Sequence, residues 1–275
     1  MLIKAPAKIN LRLEVNSKLD NGYHELSMVN GKIDLYDLID INKSNNNYNS
    51  VKFSIERLNQ MSNNYCLDIV NYFSNNYQLD YFDIYITKNI PDGAGLGGGS
   101  SDAAALINYF NNEYHLCLND NELIQLGKTY GADIPYCLYN DICYVEGIGE
   151  KITSLGSYPI NDIYIICPNI YVSTKDVFIN NQKFTPKESS LDITRIKSYL
   201  NSKDYNNLLH NDLEESAFNL FPKLKEIKNI ISKYGNVVMS GSGSTFILIP
   251  SNMTNIDELK NELVDVVIYH TKLLG

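Results

Sequence analysis

The stretch Pro91-Asp92-Gly93-Ala94-Gly95-Leu96-Gly97-Gly98-Gly99-Ser100-Ser101-Asp102 constrains this chain more than any other. Ala103, Ala104 and Ala105 follow directly, then Leu106, Ile107 and Phe110 at helical spacing. Glycine permits positive φ and lets a ligand come close to the backbone. Ser100, Ser101 and Asp102 are residue types whose oxygens cap helix N-termini. The pattern predicts a loop of bare amides running into the start of a helix. Anions bind at such places, because unpaired N–H groups and the positive end of the helix dipole coincide there. A flexible Gly/Ser linker would not continue into an alanine-rich amphipathic helix.

Familiar phosphate loops fit poorly. Gly93, Gly95 and Gly98 match G-x-G-x-x-G, but a dinucleotide site needs a strand running straight into its first glycine. Here residues 88–92 intervene after the predicted strand 82–87. A P-loop needs Gly-Lys-Ser/Thr, and no lysine follows these glycines. The protein-kinase glycine loop lies between strands rather than before a helix.

Net charge is −9 and the pI about 4.9, which argues against a broad nucleic-acid surface. An anionic substrate must therefore be met at a local site. Cys66, Cys117, Cys137, Cys143 and Cys167 form no C-x-x-C pair, which argues against a disulfide framework or zinc site and suits a reducing cytosol. The short apolar start is no signal peptide, and no apolar run reaches the ~18 residues of a membrane span. The expectation is a cytoplasmic protein with neither nucleic-acid nor membrane partner.

Alternation of Ile9, Leu11 and Leu13 with Asn10, Arg12 and Glu14 predicts a strand over 3–15. Lys8 and Asn10 share its polar face, which taken alone reads as solvated. Asp20-Asn21-Gly22 is a turn signal, followed by Tyr23 and His24. Strands are expected over 33–41, 51–55 and 82–87, with helices over 65–77 and from Asn119 or Asp120 to Gly131. Asp133, two residues before Pro135, reads by itself as a helix-capping group. A hairpin is expected around Gly147-Ile148-Gly149, and residues 154–159 are the best boundary, giving domains 1–156 and 157–275. Beyond it the pattern predicts a strand over 163–167, a helix near 173–179 and a polar loop over 180–190. Helices follow over 193–200, 213–220, 222–234 and 256–264, with strands over 237–239, 246–249 and 266–270. Ser240-Gly241-Ser242-Gly243-Ser244-Thr245 reads locally as a hairpin turn. The class is mixed α and β, α+β rather than a repeat.

The string 91–105 resembles the phosphate loop of the GHMP kinases, the superfamily of galactokinase, homoserine kinase and mevalonate kinase. Two more of its signatures stand in the right order: Ala5-Pro6-Ala7-Lys8-Ile9-Asn10-Leu11 and Met239-Ser240-Gly241-Ser242-Gly243-Ser244-Thr245. Asp20-Asn21-Gly22-Tyr23-His24-Glu25-Leu26 and Gly131-Ala132-Asp133-Ile134-Pro135 resemble the branch acting on a cytidine diphosphate-linked methylerythritol, in non-mevalonate isoprenoid synthesis.

The resemblance implies a two-domain GHMP kinase fold with the active site in the interdomain cleft, and ATP with Mg²⁺ as phosphoryl donor. It implies Asp133 as general base and Lys8 as the catalytic lysine. Pro91, Asp92, Gly93, Ala94, Gly95, Leu96, Gly97, Gly98, Gly99, Ser100 and Ser101 would wrap the ATP phosphates. Asn10 would hold the acceptor, with Ser240, Gly241, Ser242 and Gly243 lining the same site. Tyr23 and Phe178 would face the cytosine ring and His24 its edge. No dedicated metal ligand is apparent. Two alternatives stand beside this reading: another GHMP small-molecule kinase of homoserine or mevalonate type, and a non-catalytic binding relative.

Overall fold

The computed structural model describes residues 1–20, 22–181, 192–251 and 255–274. Asn21 of the expected turn, and the expected polar loop from residue 182 onward, lie outside the described residues. The chain runs β1 (Leu2–Lys18), β2 (His24–Lys43), β3 (Ser50–Phe53), α1 (Glu56–Asn59), α2 (Tyr65–Tyr77), β4 (Phe82–Thr87), α3 (Gly98–Glu113), α4 (Asp120–Tyr130) and α5 (Ile134–Cys137). It continues through β5 (Ile142–Gly147), β6 (Lys151–Gly156), β7 (Ile163–Pro168), α6 (Thr174–Asn180), α7 (Ile193–Ser202), α8 (Tyr205–Leu208), β8 (His210–Asn211) and α9 (Glu214–Leu220). Last come α10 (Pro222–Ile231), β9 (Gly235–Met239), β10 (Phe246–Pro250), α11 (Ile256–Glu262), β11 (Val266–Thr271) and β12 (Leu273–Leu274). No described helix is long and apolar enough to cross a membrane.

Packing divides the chain into two compact units, and neither is a continuous stretch. The first comprises Met1–Ala7, Leu35–Pro91 and Gly97–Tyr139; the second comprises Lys8–Asp34, Asp92–Leu96 and Asn140–Gly275. The interleaving follows from the length of β1 and β2, each of which contributes residues to both.

In the first unit, β4 pairs antiparallel with the second half of β2, Leu38 opposite Thr87 and Lys43 opposite Phe82, and parallel with β3. Helices α2 and α3 close the core. Ile69, Val70 and Phe73 of α2, and Leu106, Ile107 and Phe110 of α3, are fully buried, as their helical spacing predicts. The Phe73 and Phe110 rings stack at 5.0 Å, and Phe82 meets Phe110 edge-on at 5.1 Å. Burying each such ring contributes roughly 1.5–3 kcal/mol. Asn119 and Glu122 cap α4 reciprocally.

In the second unit, β11, β7, β10 and β9 form an antiparallel sheet in that order. The first half of β2 pairs with β5, Leu26 opposite Gly147, and β5 with β6. β8 runs parallel to β1, Arg12 opposite His210.

Three expectations are corrected. β2 starts at His24 rather than at 33, because residues 26–30 gain a ladder with β5, more than a hundred residues on, that their local pattern does not signal. The polar face of β1 is not solvated. Lys8, Asn10, Arg12 and Glu14 are each at most 9% exposed, and Arg12 is held by Glu14 Oε1 at 2.6 Å and by the carbonyls of Asn207 and Leu208. Third, Ser100, Ser101 and Asp102 do not cap α3. Its N-cap is Gly97 at φ +65°, without a side-chain capping bond, and the serines and Asp102 lie inside the first turns.

Candidate active site

In the second unit, Gly93 (φ +69°) and Gly95 (φ +75°) let the chain bend sharply. Leu96 is anchored by the backbone N–H of Lys8, which donates to its carbonyl at 2.9 Å. A Cβ on Gly95 would lie 2.9 Å from the Ser240 carbonyl oxygen and 3.1 Å from that of Gly243, both backbone atoms. Only glycine lets these two loops touch.

In the first unit, Gly97 turns the chain into α3. The first intrahelical bond is Ser101 N–H to the Gly97 carbonyl, at 2.8 Å. The preceding amides of Gly98, Gly99 and Ser100 have no intrahelical acceptor, as at any helix start. Gly99 is exposed, and a Cβ there would meet nothing within 4 Å. The Ser101 hydroxyl is committed elsewhere, donating to the Pro6 carbonyl at 2.6 Å.

Beneath this turn lies a buried charge cluster. The Lys88 ammonium pairs with Asp37 and, at 2.5 Å, with Asp102; both carboxylates are 0% exposed. Asp37 also accepts the N–H groups of Asn89 at 2.6 Å and Ile90 at 2.9 Å. One cluster thus ties β2, the segment entering the glycine loop, and the first turns of α3. Burial, helped by the nearby Asp37 charge and opposed by Lys88, pushes the Asp102 carboxyl up to about 8. Burial works against the Lys88 ammonium, but Asp102 and Asp37 outweigh it and its pKa is raised.

The second unit also gathers Lys8, Asn10 and Ser240. Lys8 Nζ donates to Asn10 Oδ1 at 2.9 Å, and Asn10 N–H donates to Ser240 Oγ at 3.2 Å. Ser240 Oγ in turn reaches the Gly95 carbonyl at 3.4 Å. A Cβ on Gly241 would sit 3.5 Å from Asn10 Oδ1. The second glycine–serine loop is closed by Ser240 N–H to the Thr245 carbonyl at 2.9 Å, and Ser242 Oγ bonds Thr174 Oγ1 at 2.8 Å. So Lys8, Asn10, Ser240 and Gly241, far apart in sequence, stand together against Gly95 and Leu96.

Asp133 is half-buried at the N-cap position of α5, but its side chain makes no capping bond, so the capping reading does not account for it. It belongs to the first unit with Gly97, Gly98, Gly99, Ser100 and Ser101. In the second unit the His24 and Phe178 rings stack at 4.9 Å with 27° between planes. Tyr23 is 57% exposed. Burial and then the Lys18 charge hold the His24 imidazole below its ordinary pKa, so it is a neutral ring at pH 7.

Several residues at these sites carry no local sequence signal. Asn211 Nδ2 donates to the carbonyls of Met239 (2.6 Å) and Gly241 (2.8 Å), fixing the second loop from β8. Asn30 accepts from Asn10 Nδ2 at 2.7 Å. Lys88 and Asp37 read as ordinary loop and strand charges. Lys88 at least stands between β4 and the glycine loop, whereas Asp37, 51 residues earlier, has no such pointer.

Comparison with known proteins agrees with this geometry. The model for the N-terminal domain of GHMP kinases matches residues 64–141, and that for the GHMP kinase C-terminal domain matches 191–267. A 4-diphosphocytidyl-2-C-methyl-D-erythritol kinase of Caldicellulosiruptor saccharolyticus is 34% identical across 98% of this chain and 97% of its own. One of Clostridium beijerinckii is 35% identical across 98% of this chain and all of its own. The crystal structure of a 4-(cytidine 5'-diphospho)-2C-methyl-D-erythritol kinase superposes with a TM-score of 0.82 at 28% identity, covering 100% of both chains. The mevalonate kinase of Methanococcus jannaschii shares the fold, with a TM-score of 0.70 at 18% identity.

Proposed function

Because this chain belongs to the GHMP kinases, and within them to the 4-diphosphocytidyl-2-C-methyl-D-erythritol kinase family, we propose that it transfers the γ-phosphoryl group of ATP to a hydroxyl of 4-diphosphocytidyl-2-C-methyl-D-erythritol. The observation that supports this most is the junction of bare amides at Gly98, Gly99 and Ser100 with the start of α3. Such a junction suits the phosphates of ATP. The two family models lie on either side of the division at 156/157 in sequence, although residues 8–34, 92–96 and 140–156 pack with the second unit.

Phosphoryl transfer is catalysed mainly by positioning and charge stabilisation. Asp133 accepts the proton of the attacking hydroxyl as general base. The Lys8 ammonium, held by Asn10, offsets charge on the transferring phosphoryl oxygens. Asn10 and the loop of Ser240, Gly241, Ser242 and Gly243 hold the acceptor. The described residues contain no cluster of three or more metal-binding side chains. Asp102 Oδ2 is taken by Lys88 and the Ser101 hydroxyl by the Pro6 carbonyl, while the remaining Asp102 oxygen, Oδ1, is buried, so Mg²⁺ would be held mostly by the phosphates and water. When bound, it neutralises phosphate charge.

Cytosine recognition falls to Tyr23, His24 and Phe178. His24 covers one face of Phe178, and a bound base would replace the imidazole against that ring. His24 then meets the base edge, where a wrong base leaves buried polar groups unpaired. The test is phosphate transfer from ATP to the cytidine substrate and its uridine analogue, read by mass spectrometry. Phosphorylation of the cytidine compound with poor use of the uridine one is expected. Turnover of homoserine or mevalonate instead would move the chain to another branch, and no ATP consumption with any acceptor would make it a binder.

A further inference from the structure

The carboxamide of Asn10 has nearly the same shape either way round, so its neighbours must decide which end faces the Lys8 ammonium. Lys8 Nζ, a donor only, requires Oδ1 toward it, and that bond is 2.9 Å long. The far end, Nδ2, then needs an acceptor. Met28 Sδ at 3.5 Å is a weak one; Asn30 Oδ1 at 2.7 Å is a strong one. Asn30 is 0% exposed, on β2, opposite Cys143 of β5. We propose that Asn30 is a positioning residue for phosphoryl transfer. Its Oδ1 locks the Asn10 amide, so that Asn10 Oδ1 holds the Lys8 ammonium where the transferring phosphoryl group needs it. This rests on the role given to Lys8 above.

The other half of the Asn30 amide separates this role from a structural one. Asn30 Nδ2 is buried and has no hydrogen-bond partner among the described residues. An orphaned buried donor destabilises a fold; an apolar side chain of similar size removes that cost, and the opposing cost of leaving Asn10 Nδ2 with Met28 Sδ alone is of the same order. Replacing Asn30 by an apolar residue therefore leaves stability nearly unchanged, while the loss of its acceptor falls on Asn10 and through it on Lys8. Stability and turnover must part company when it is replaced.

The experiment compares Asn30→Leu, Asn30→Asp, Lys8→Ala and the double variant Lys8→Ala/Asn30→Leu, using kcat, KM for ATP and thermal melting. Asn30→Leu removes one orphaned donor, Asn30 Nδ2, and leaves Asn10 Nδ2 with Met28 Sδ alone, so its melting temperature should stay near that of the unsubstituted protein, with kcat down roughly 10- to 100-fold from a catalytic group misplaced by about 1 Å. KM for ATP should barely move. Asn30→Asp keeps the acceptor in the same shape and should recover most of the lost kcat. With Lys8 removed, Asn30→Leu should cost nothing further, because the two act as one unit. A folded Asn30→Leu variant with normal kcat would overturn the proposal. So would a Leu variant that fails to fold, since the argument requires an apolar side chain to be tolerated there. A normal kcat in Lys8→Ala would instead remove the Lys8 role on which the proposal stands. Additive losses in the double variant would show that Asn30 acts by some route other than Lys8.

Discussion

Replacing Lys88 by methionine leaves two buried carboxyl groups facing each other with the cation gone. Lys88 is 4% exposed and both its partners are 0% exposed, so solvent screens little of the effect. Removing one member of a buried pair costs about 3–5 kcal/mol. In a chain of this size that lowers Tm by about 6–20 °C, at roughly 2–4 °C per kcal/mol. The loss should also depend on pH. The Asp102 carboxyl is raised from 3.8 to about 8 in the folded protein. A group raised in this way contributes stability that is full below its unfolded value and is lost as pH rises toward its folded one. Lys88 is the main influence opposing the rise, so without it the folded value climbs further. The unfolded chain then gives up its proton where the variant's folded state still holds it. Above about pH 8 the variant should lose a further ~1.4 kcal/mol per pH unit relative to the parent. Calorimetric melts at pH 6, 7.5 and 9 test this, with Asp102→Asn alongside. The Asn variant should gain on the parent as pH rises from 4 toward 8. A Tm for Lys88→Met unchanged at every pH, or a loss that shrinks at pH 9, would refute the argument.

Asp133→Asn should lower kcat by ~10²–10⁴ while ATP binding stays near normal; near-normal turnover would remove its assignment as base. Gly95→Ala should destabilise the fold, because its Cβ meets two backbone carbonyls and its φ is +75°; a melt matching the parent would contradict the packing of the two loops. Gly99→Ala should leave the melt unchanged or raise it by a few degrees, since the Cβ faces open space on a helix. Its KM for ATP should nevertheless rise, and an unchanged KM would argue against phosphate approach at that amide. Tyr23→Ala should raise KM for the cytidine substrate and not for ATP; equal use of cytidine and uridine analogues by the parent would rule out the cytosine site.

Helices α2, α7 and α9 and strands β4, β7 and β11 stand within two residues of where local pattern places them. Their signals are local: helical spacing of apolar residues, short alternating runs, and turn residues at the ends. The glycine loop was legible for the same reason, since bare backbone before an alanine-rich helix has few other uses. Short elements with little periodicity, α1, α5, α8, β8 and β12, left no such trace. The polar face of β1 was misleading, because Lys8, Asn10, Arg12 and Glu14 alternate as a solvated face would. Whether such a face meets water or other polar side chains depends on what the rest of the chain lays over it. Asn30 and Asn211 show the same limit. A lone asparagine in a strand predicts nothing: the Asn30 acceptor matters only once Asn10, 20 residues away, comes within 3 Å, and the Asn211 donor only once the loop carbonyls of Met239 and Gly241 do. Local sequence decides backbone conformation through terms that act over a few residues. Which side chains share a buried hydrogen bond is decided by long-range contacts, and only the tertiary structure supplies those.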